Sequence, residues 1–222
     1  MNEILAEDFN IGLLPQLLGR VDPTILEIGA NNGGHTRMFF HLFPAGNIHS
    51  FEPDPRAIAK FKINLAGYPG AKLHEIAVGA VDGAAEFHSS GGQNPAMGYD
   101  MPGGWDLSGS LRKPTGHLTV NPGITFDDKF DVKISRLDTW RQQNQLGLID
   151  FVWADVQGAE GDLIAGGTDT FARHVRFLYT EYSDSELYEG QLNLPQILER
   201  LPGYSVLAQF RGDVLLRNDS LA

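Results

Sequence analysis

Thr24-Ile-Leu-Glu-Ile-Gly-Ala-Asn-Asn-Gly-Gly-His-Thr36 is the stretch from which the rest of the chain can be read, and Ile48-His-Ser-Phe-Glu-Pro-Asp54 is its companion. Ile25, Leu26 and Ile28 form a short apolar, β-branched run of the kind a buried parallel strand needs. The run stops at Gly29, and the chain then turns through Asn31, Asn32, Gly33 and Gly34 into a helix-like segment, residues 36–42. Strand, glycine turn and helix expose backbone N–H groups at the carboxyl edge of an α/β sheet, where ligands bind. A second strand, residues 48–51, ends in Glu52. A carboxylate there can accept both hydroxyls of a ribose. Together these features describe a nucleoside-binding edge.

What the turn lacks narrows the nucleoside. A dinucleotide fold needs G-x-G-x-x-G, because its second glycine lets the backbone approach a pyrophosphate. Here Ala30 and Asn31 follow Gly29, and no G-x-x-x-x-G-K-[ST] phosphate loop occurs anywhere. Glu27, two residues before Gly29, adds a negative charge that would repel pyrophosphate but could hold a cationic amino-acid moiety. The ligand that combines ribose, adenine, an ammonium and a sulfonium is S-adenosylmethionine. The competing reading is an acidic strand end in an α/β domain that binds nothing there.

With three later groups, these residues resemble the FkbM-type S-adenosylmethionine-dependent methyltransferases. That family carries a strand ending D/E-x-G-A-N-x-G, then F-E-P-x-P, then L-D near a strand end, then K-I-D-V-E-G-A-E. The present chain has Leu26-Glu-Ile-Gly-Ala-Asn-Asn-Gly33, Phe51-Glu-Pro-Asp-Pro55, Leu137-Asp138 and Trp153-Ala-Asp-Val-Gln-Gly-Ala-Glu160. The resemblance spans roughly residues 21–217, with the groups in the family's order. It implies a cofactor site at Glu27, Gly29, Ala30, Asn31, Asn32, Gly33, Thr36, Glu52, Pro53 and Asp155, with Ala77 and Val78 bordering the adenine. Two positions depart from the pattern: Trp153 replaces a lysine and Gln157 an acid. Loss of a cation and an anion together suggests one lost ion pair.

The 222 residues suit one α/β domain, residues 21–218, preceded by an amphipathic helical leader, residues 1–20. A net charge of −11 argues against nucleic acid as the main partner. With no cysteine, disulfides and thiolate metal sites are excluded. Asp155, Glu181 and Asp184 could hold a divalent ion, but no His-rich ligand spacing supports a dedicated metal site. No stretch is long and apolar enough for a membrane span, and no basic, then apolar, leader opens the chain. A cytoplasmic protein is the expectation; the oligomeric state is not encoded in any visible pattern.

Further along, the pattern predicts a helix over residues 53–65, a strand over 72–78 and an added strand over 84–88. Residues 90–122 form a long, glycine-rich inserted loop, and loops of that length in compact domains are usually functional or disordered. Its Trp105, Arg112, Lys113 and His117 suit recognition of a polar, anionic or sugar-like acceptor, the alternative being a mobile lid. A strand over 132–137 leads to Asp138, expected to cap a helix over 139–145. Strands over 149–154 and 175–180 follow, ending in Asp155 and in Glu181-Tyr182. A helix over 194–201 and a hairpin, 204–210 with 213–217, complete the chain. A hairpin appended to five parallel strands is a feature of class I methyltransferases and is missing from dinucleotide domains. The expected fold is therefore α/β: a Rossmann-like, doubly wound sheet, mostly parallel, with a C-terminal antiparallel hairpin.

The expected activity is O-methyl transfer to a small polar acceptor such as a sugar or glycan hydroxyl. A hydroxyl nucleophile needs a proton acceptor. Asp155 and Glu181 are the candidates by position and His117 by chemistry, with Tyr182 as an acceptor contact. Two rivals stand beside this reading: an NAD-dependent oxidoreductase on a related sheet, and a relative that binds the cofactor without turning it over.

Overall fold

A computed structural model describes residues 9–94, 101 and 103–221. Residues 1–8 of the expected leader and 95–100 and 102 of the expected loop lie outside the described residues. A 3-10 turn, Ile11–Leu13, runs into α1, Leu14–Leu18. The motif region then forms β1 (Thr24–Ile28), α2 (Gly34–Leu42), β2 (Asn47–Phe51) and α3 (Pro55–Asn64). Next come β3 (Lys72–His74), β4 (Ala77–Val78), β5 (Gly83–Gly92), α4 (His117–Val120) and β6 (Ile124–Ser135). The remainder is α5 (Leu137–Gln143), β7 (Ile149–Ala154), α6 (Glu160–Gly166), α7 (Thr168–His174), β8 (Val175–Glu181), α8 (Leu194–Arg200), β9 (Tyr204–Gln209) and β10 (Asp213–Asn218).

Seven strands make the main sheet in the order β3-β2-β1-β7-β8-β10-β9. β1 runs parallel to both β2 and β7, with Ile28 opposite Phe51 on one side and Ala154 on the other. β10 is antiparallel to β8 and closes the sheet with β9 as the terminal hairpin. The chain order reverses between β1 and β7, so their carboxyl ends frame the crevice where α/β sheets bind ligands.

Strand pleating explains the unbroken apolar runs. Successive side chains leave a strand on opposite faces. Leu26 and Ile28 join Val152, Ala154 and Leu178 in one core, while Ile25 joins Phe39, Phe151, Trp153 and Phe177 in the other. Both faces are covered, so β1 and β7 need apolar residues at nearly every position. The start of the chain contributes here: Phe9, Ile11, Leu14 and Leu18 pack on the second core.

Two expectations are corrected. Residues 72–78 are not one strand: β3 ends at His74, and β4 leaves the main sheet to pair with β6, Ala77 opposite Ile134. β4, β6 and β5 form a separate three-stranded sheet. An apolar run shows that a strand is buried but not which neighbour it pairs with. The long inserted loop is the connection of the β5–β6 hairpin. Asp138, likewise, does not cap its own helix, which begins at Leu137 behind Arg136. Its Oδ1 accepts from the Thr170 backbone N–H at 2.8 Å and the Thr170 hydroxyl at 2.7 Å, so it closes the first turn of α7 instead. The packing of α5 against α7, a nonlocal contact, selects that partner.

Candidate active site

β1 ends at Ile28, and Gly29 turns with φ +91. A Cβ at Gly29 would lie 1.8 Å from the Asp155 backbone oxygen, so both the left-handed backbone and the approach of β7 require glycine. Asn31 also has positive φ, at +44. Its N–H donates to Glu52 Oε2 at 2.7 Å, and its side-chain amide donates to the Asp106 carbonyl at 2.9 Å. The other Glu52 oxygen accepts from the Asp54 N–H at 2.8 Å. Burial pushes the Glu52 carboxyl up to about 7, against the opposing pull of those two N–H groups.

Around these residues lies a cleft of about 200 Å³. Ile76, Ala77, Val78, Phe87, Leu107 and Leu111 give it an apolar lining, which it shares with Gly29, Asn31 and Glu52. Its end is built by Asp155, Val156 and Gln157. Among the described residues no lysine, arginine or histidine lines it, whereas Glu52, Asp54, Asp106 and Asp155 do. That donor set fits a ligand with an apolar base, a diol and positive charge; a pyrophosphate would meet only carboxylates.

At the cleft's end, Gln157 bridges two carboxylates: its amide nitrogen donates to Asp155 Oδ1 at 2.6 Å and to Glu181 Oε2 at 3.1 Å. Burial raises the Asp155 carboxyl. Burial, and then the charge of Asp155, lifts Glu181 well above the usual carboxylate range. Glu160, at 1% exposure, is pushed to about 7 by burial, with Asp155 adding to it. A glutamate at position 157 would add a further charge to this corner and remove the shared donor, which gives the departure at Gln157 a physical reason. Trp153 lies opposite Glu27 in the β1–β7 register and stacks on Tyr179 at 4.3 Å, on the face of β7 occupied by Phe39 and Phe151. Trp153 shares a recess with Asp155 and Glu181, the two carboxylates that Gln157 bridges, so both departures border the same acidic corner.

Two further recesses meet the cleft at this corner. One, about 500 Å³, shares Gln157 with it and includes Glu181, Tyr182, Asp184, Gln191 and Arg211. The other, about 440 Å³, shares Asp155 and is lined by Phe9, His35, Met38, Trp153 and Glu181.

Of the expected cofactor residues, Gly29, Asn31, Glu52, Pro53, Ala77, Val78 and Asp155 line the cleft. Glu27, Ala30, Asn32, Gly33 and Thr36 do not. Glu27 is fully buried and accepts from the hydroxyls of Thr36 and of Ser50, the latter at 2.9 Å. Ala30 packs on Phe61 and Leu65, and a Cβ at Gly33 would strike the same two side chains. Asn32 Oδ1 accepts from the Gly34 N–H at 3.0 Å. These five residues build and support the turn.

The expected acceptor residues are mostly elsewhere. Trp105 is buried and donates to Ser108 Oγ at 2.8 Å. Arg112 is paired with Asp162 through two bonds of 2.5 Å. Lys113 lines a different recess with His88 and Phe126. His117 is buried, 3.2 Å from Ser108 Oγ, with its ring edge-on to Phe126. Only Tyr182 borders a recess that reaches Gln157, and its hydroxyl donates to the Phe210 carbonyl at 3.0 Å. Sequence reasoning missed Asp106, Leu107, Phe87, Gln157 and His35. For His35 a signal was present, since it sits in the first turn after the motif. The others arrive through loop packing. Among the described residues no cluster of His, Cys, Asp or Glu has an arrangement that could hold a metal ion.

The reversed parallel sheet, its terminal hairpin and a cation-free cleft at the ends of β1 and β2 define a class I, Rossmann-like methyltransferase that uses S-adenosylmethionine. The methyltransferase FkbM domain matches residues 27–211, and the chain belongs to that family. It is 46% identical to the 2-O-methyltransferase NoeI of Sinorhizobium fredii over 209 residues, which is 92% of this chain and 83% of NoeI. Among solved structures it aligns with an rRNA methylase from Streptococcus thermophilus at 12% identity and TM-score 0.48, over 95% of this chain and 97% of that one. It also aligns with the precorrin-6y C5,15-methyltransferase of Geobacter metallireducens at 12% identity and TM-score 0.45, over 97% and 93% of the two chains.

Proposed function

We propose that the protein methylates a hydroxyl oxygen of a small polar acceptor, a sugar or glycan, with S-adenosylmethionine in the cleft that Glu52 borders. Bound there, the cofactor supplies a methyl group already activated by its sulfonium. The observation that carries the reading is the junction at Asp155, Gln157 and Glu181, where the cofactor cleft adjoins two recesses. The name of NoeI specifies transfer to an oxygen, which supports a hydroxyl acceptor.

The chain's tasks follow from its groups. Glu52 has lone pairs left to accept ribose hydroxyls, and its oxygens are aimed by the N–H groups of Asn31 and Asp54. The apolar wall from Ile76 to Val78, with Phe87, covers a planar base. Asp155 takes the acceptor hydroxyl's proton onto a carboxylate oxygen. Burial raises its proton affinity toward the range a general base needs. Gln157 positions both carboxylates, that of Asp155 and that of Glu181. His117, enclosed by Ser108, Phe126 and Tyr188, has no such access.

Tyr182, Asp184, Gln191 and Arg211 make the larger recess polar, which suits a multiply hydroxylated acceptor. The net charge of −11 disfavours a nucleic-acid acceptor. The decisive experiment incubates the protein with S-adenosylmethionine and a panel of free sugars and oligosaccharides, and follows S-adenosylhomocysteine formation. Product methyl ether from at least one acceptor is expected. Cofactor binding without turnover across the panel would favour the inactive relative, and absence of cofactor binding would overturn the reading.

A further inference from the structure

We propose that Tyr188 is a positioning residue for the reaction at Asp155, its hydroxyl fixing which way round the Gln157 amide faces the two carboxylates; this rests on the methyl-transfer reading above. Tyr188 is 1% exposed, and its hydroxyl lies 2.9 Å from the Ser108 carbonyl and 3.2 Å from Gln157 Oε1. It shares its single hydrogen between those two oxygens. Burial raises the phenol above its ordinary range, so it stays a neutral donor. At its other end the same amide donates from Nε2 to Asp155 Oδ1 and Glu181 Oε2, at 2.6 and 3.1 Å.

A primary amide has a donor end and an acceptor end, and the ionised carboxylates of this corner can only accept. Burial raises the Asp155 carboxyl; the Gln157 donor leads the groups that pull it back, with His35 on α2 adding to it. Glu181 is raised by burial, then by Asp155, Glu160 on α6 and Asp213 on β10. Turned over, the amide would present its oxygen to these acids, and one of them would have to keep a proton to donate to it. Tyr188 places a hydrogen at the Oε1 end. It thereby favours the orientation in which Asp155 is free to take the acceptor's proton.

The backbone on both sides is built for this contact. Gln157 has φ +51, a left-handed conformation that a non-glycine residue holds at a cost. Gly158 follows with φ +87, and a Cβ there would lie 2.6 Å from the Tyr188 Cβ, so the glycine of this turn is what admits the tyrosine. Tyr188 itself forms a β-bridge with Pro114. The Leu187 carbonyl accepts from the Thr115 and His117 N–H groups at 2.9 and 3.1 Å, and the Glu189 N–H donates to the Lys113 carbonyl at 2.9 Å. Ring contacts with His117 and Phe126 hold the phenol between them. The segment after β8 is thus laced to the inserted loop, and the hydroxyl is held at the amide, as a group that orients another must be.

The test follows kcat against pH, and the NMR titration of the Asp155 and Glu181 carboxyl carbons without acceptor, in the wild type, Tyr188→Phe, Gln157→Met and the double variant. Tyr188→Phe keeps the ring and loses only the hydroxyl. It should lower kcat by ~10-fold, the order expected of a misaligned proton acceptor. The rising limb and the carboxyl titration should both move to higher pH, because the freed amide no longer holds its donor end on the acids. S-adenosylhomocysteine should bind within about threefold of wild type. Gln157→Met should reproduce the shift, and adding Tyr188→Phe to it should change neither kcat nor the limb further. An unmoved limb and titration in Tyr188→Phe, whatever its kcat or stability, would overturn the inference, as would an equal effect of that substitution in the Gln157→Met background. So would a wild-type titration in Gln157→Met, a result that stands even if Tyr188→Phe fails to fold. A wild type that methylates no acceptor would overturn the methyl-transfer reading, while the carboxyl titration would still decide whether Tyr188 orients the amide.

Discussion

Asp155, the residue after β7, and Glu181, the last of the neighbouring parallel strand β8, are bridged by one amide nitrogen, that of Gln157, at 2.6 and 3.1 Å. Each carboxylate raises the cost of ionising in a buried setting, so the corner keeps a proton more readily than separate acids would. Burial lifts both groups, and the charge of Asp155 lifts Glu181 further.

If Asp155 is the proton acceptor, Asp155→Asn lowers kcat by roughly 100-fold, while the dissociation constant for S-adenosylhomocysteine stays within about threefold. In the wild type, kcat rises with pH along a limb lying above the ordinary carboxylate range, because the base must first lose a proton that the corner retains. Unchanged turnover in the variant with intact binding would remove Asp155 from the mechanism.

His117→Gln, by contrast, leaves kcat within about threefold, since the ring touches Ser108, Phe126 and Tyr188 rather than the cleft. A loss as large as that of Asp155→Asn would return the histidine to the role its chemistry first suggested.

Glu52→Ala weakens S-adenosylhomocysteine binding by roughly 10- to 100-fold. The variant loses the ribose acceptor and also the carboxylate that holds the Asn31 and Asp54 N–H groups. Calorimetry measures the effect, and an affinity equal to that of the wild type would place the ribose elsewhere.

The buried carboxyl of Glu27 gives stability a definite pH dependence. Burial raises it from 4.5 to about 7, against the hydroxyls of Thr36 and Ser50. The folded state therefore holds this proton more tightly than the unfolded chain. Its contribution is complete below about 4.5 and is lost as pH rises through about 7. Glu27→Gln mimics the protonated form, so its melting temperature should gain on that of the wild type as pH increases from 5.5 to 8 (roughly the window set by linkage). Parallel melting curves across that range would show that Glu27 does not titrate there.

Gly29→Ala should lower the melting temperature sharply or abolish soluble expression. The substitution forces φ +91 on an alanine and brings its Cβ to 1.8 Å from the Asp155 backbone oxygen. Backbone strain alone costs ~1–3 kcal/mol, before any displacement of β7. A melting temperature within a degree or so of wild type would mean that the two strand ends can part freely.

Much of the scaffold was legible because it depends on local, periodic signals. The apolar runs of β1 and β7, buried on both faces, and the glycine turn at Gly29 identify a parallel α/β sheet before any contact is known. Strand β7 was read to the residue, Ile149–Ala154. The terminal hairpin was visible from its Arg211-Gly212 turn, and Glu52 from its place at the end of β2. What failed to show depends on partners distant in sequence. Residues 72–78 read as one strand because their apolar character is continuous, yet the second half pairs with β6. Asp138 looked like a local cap and serves α7. Trp105, Arg112 and His117 have the residue types of a binding loop, but burial and ion pairing occupy them.

Composition, motif order and strand periodicity were enough to establish a class I methyltransferase sheet, its cofactor and the carboxylates at three strand ends, because each signal lies within one element or its turn. The tertiary structure alone brought Asp106 to the cleft beside Glu52 and gathered Asp155, Glu181 and Glu160 into one corner. Those relationships are created by strand register, pleat and loop closure, which bring residues together across the sheet regardless of their spacing in the chain.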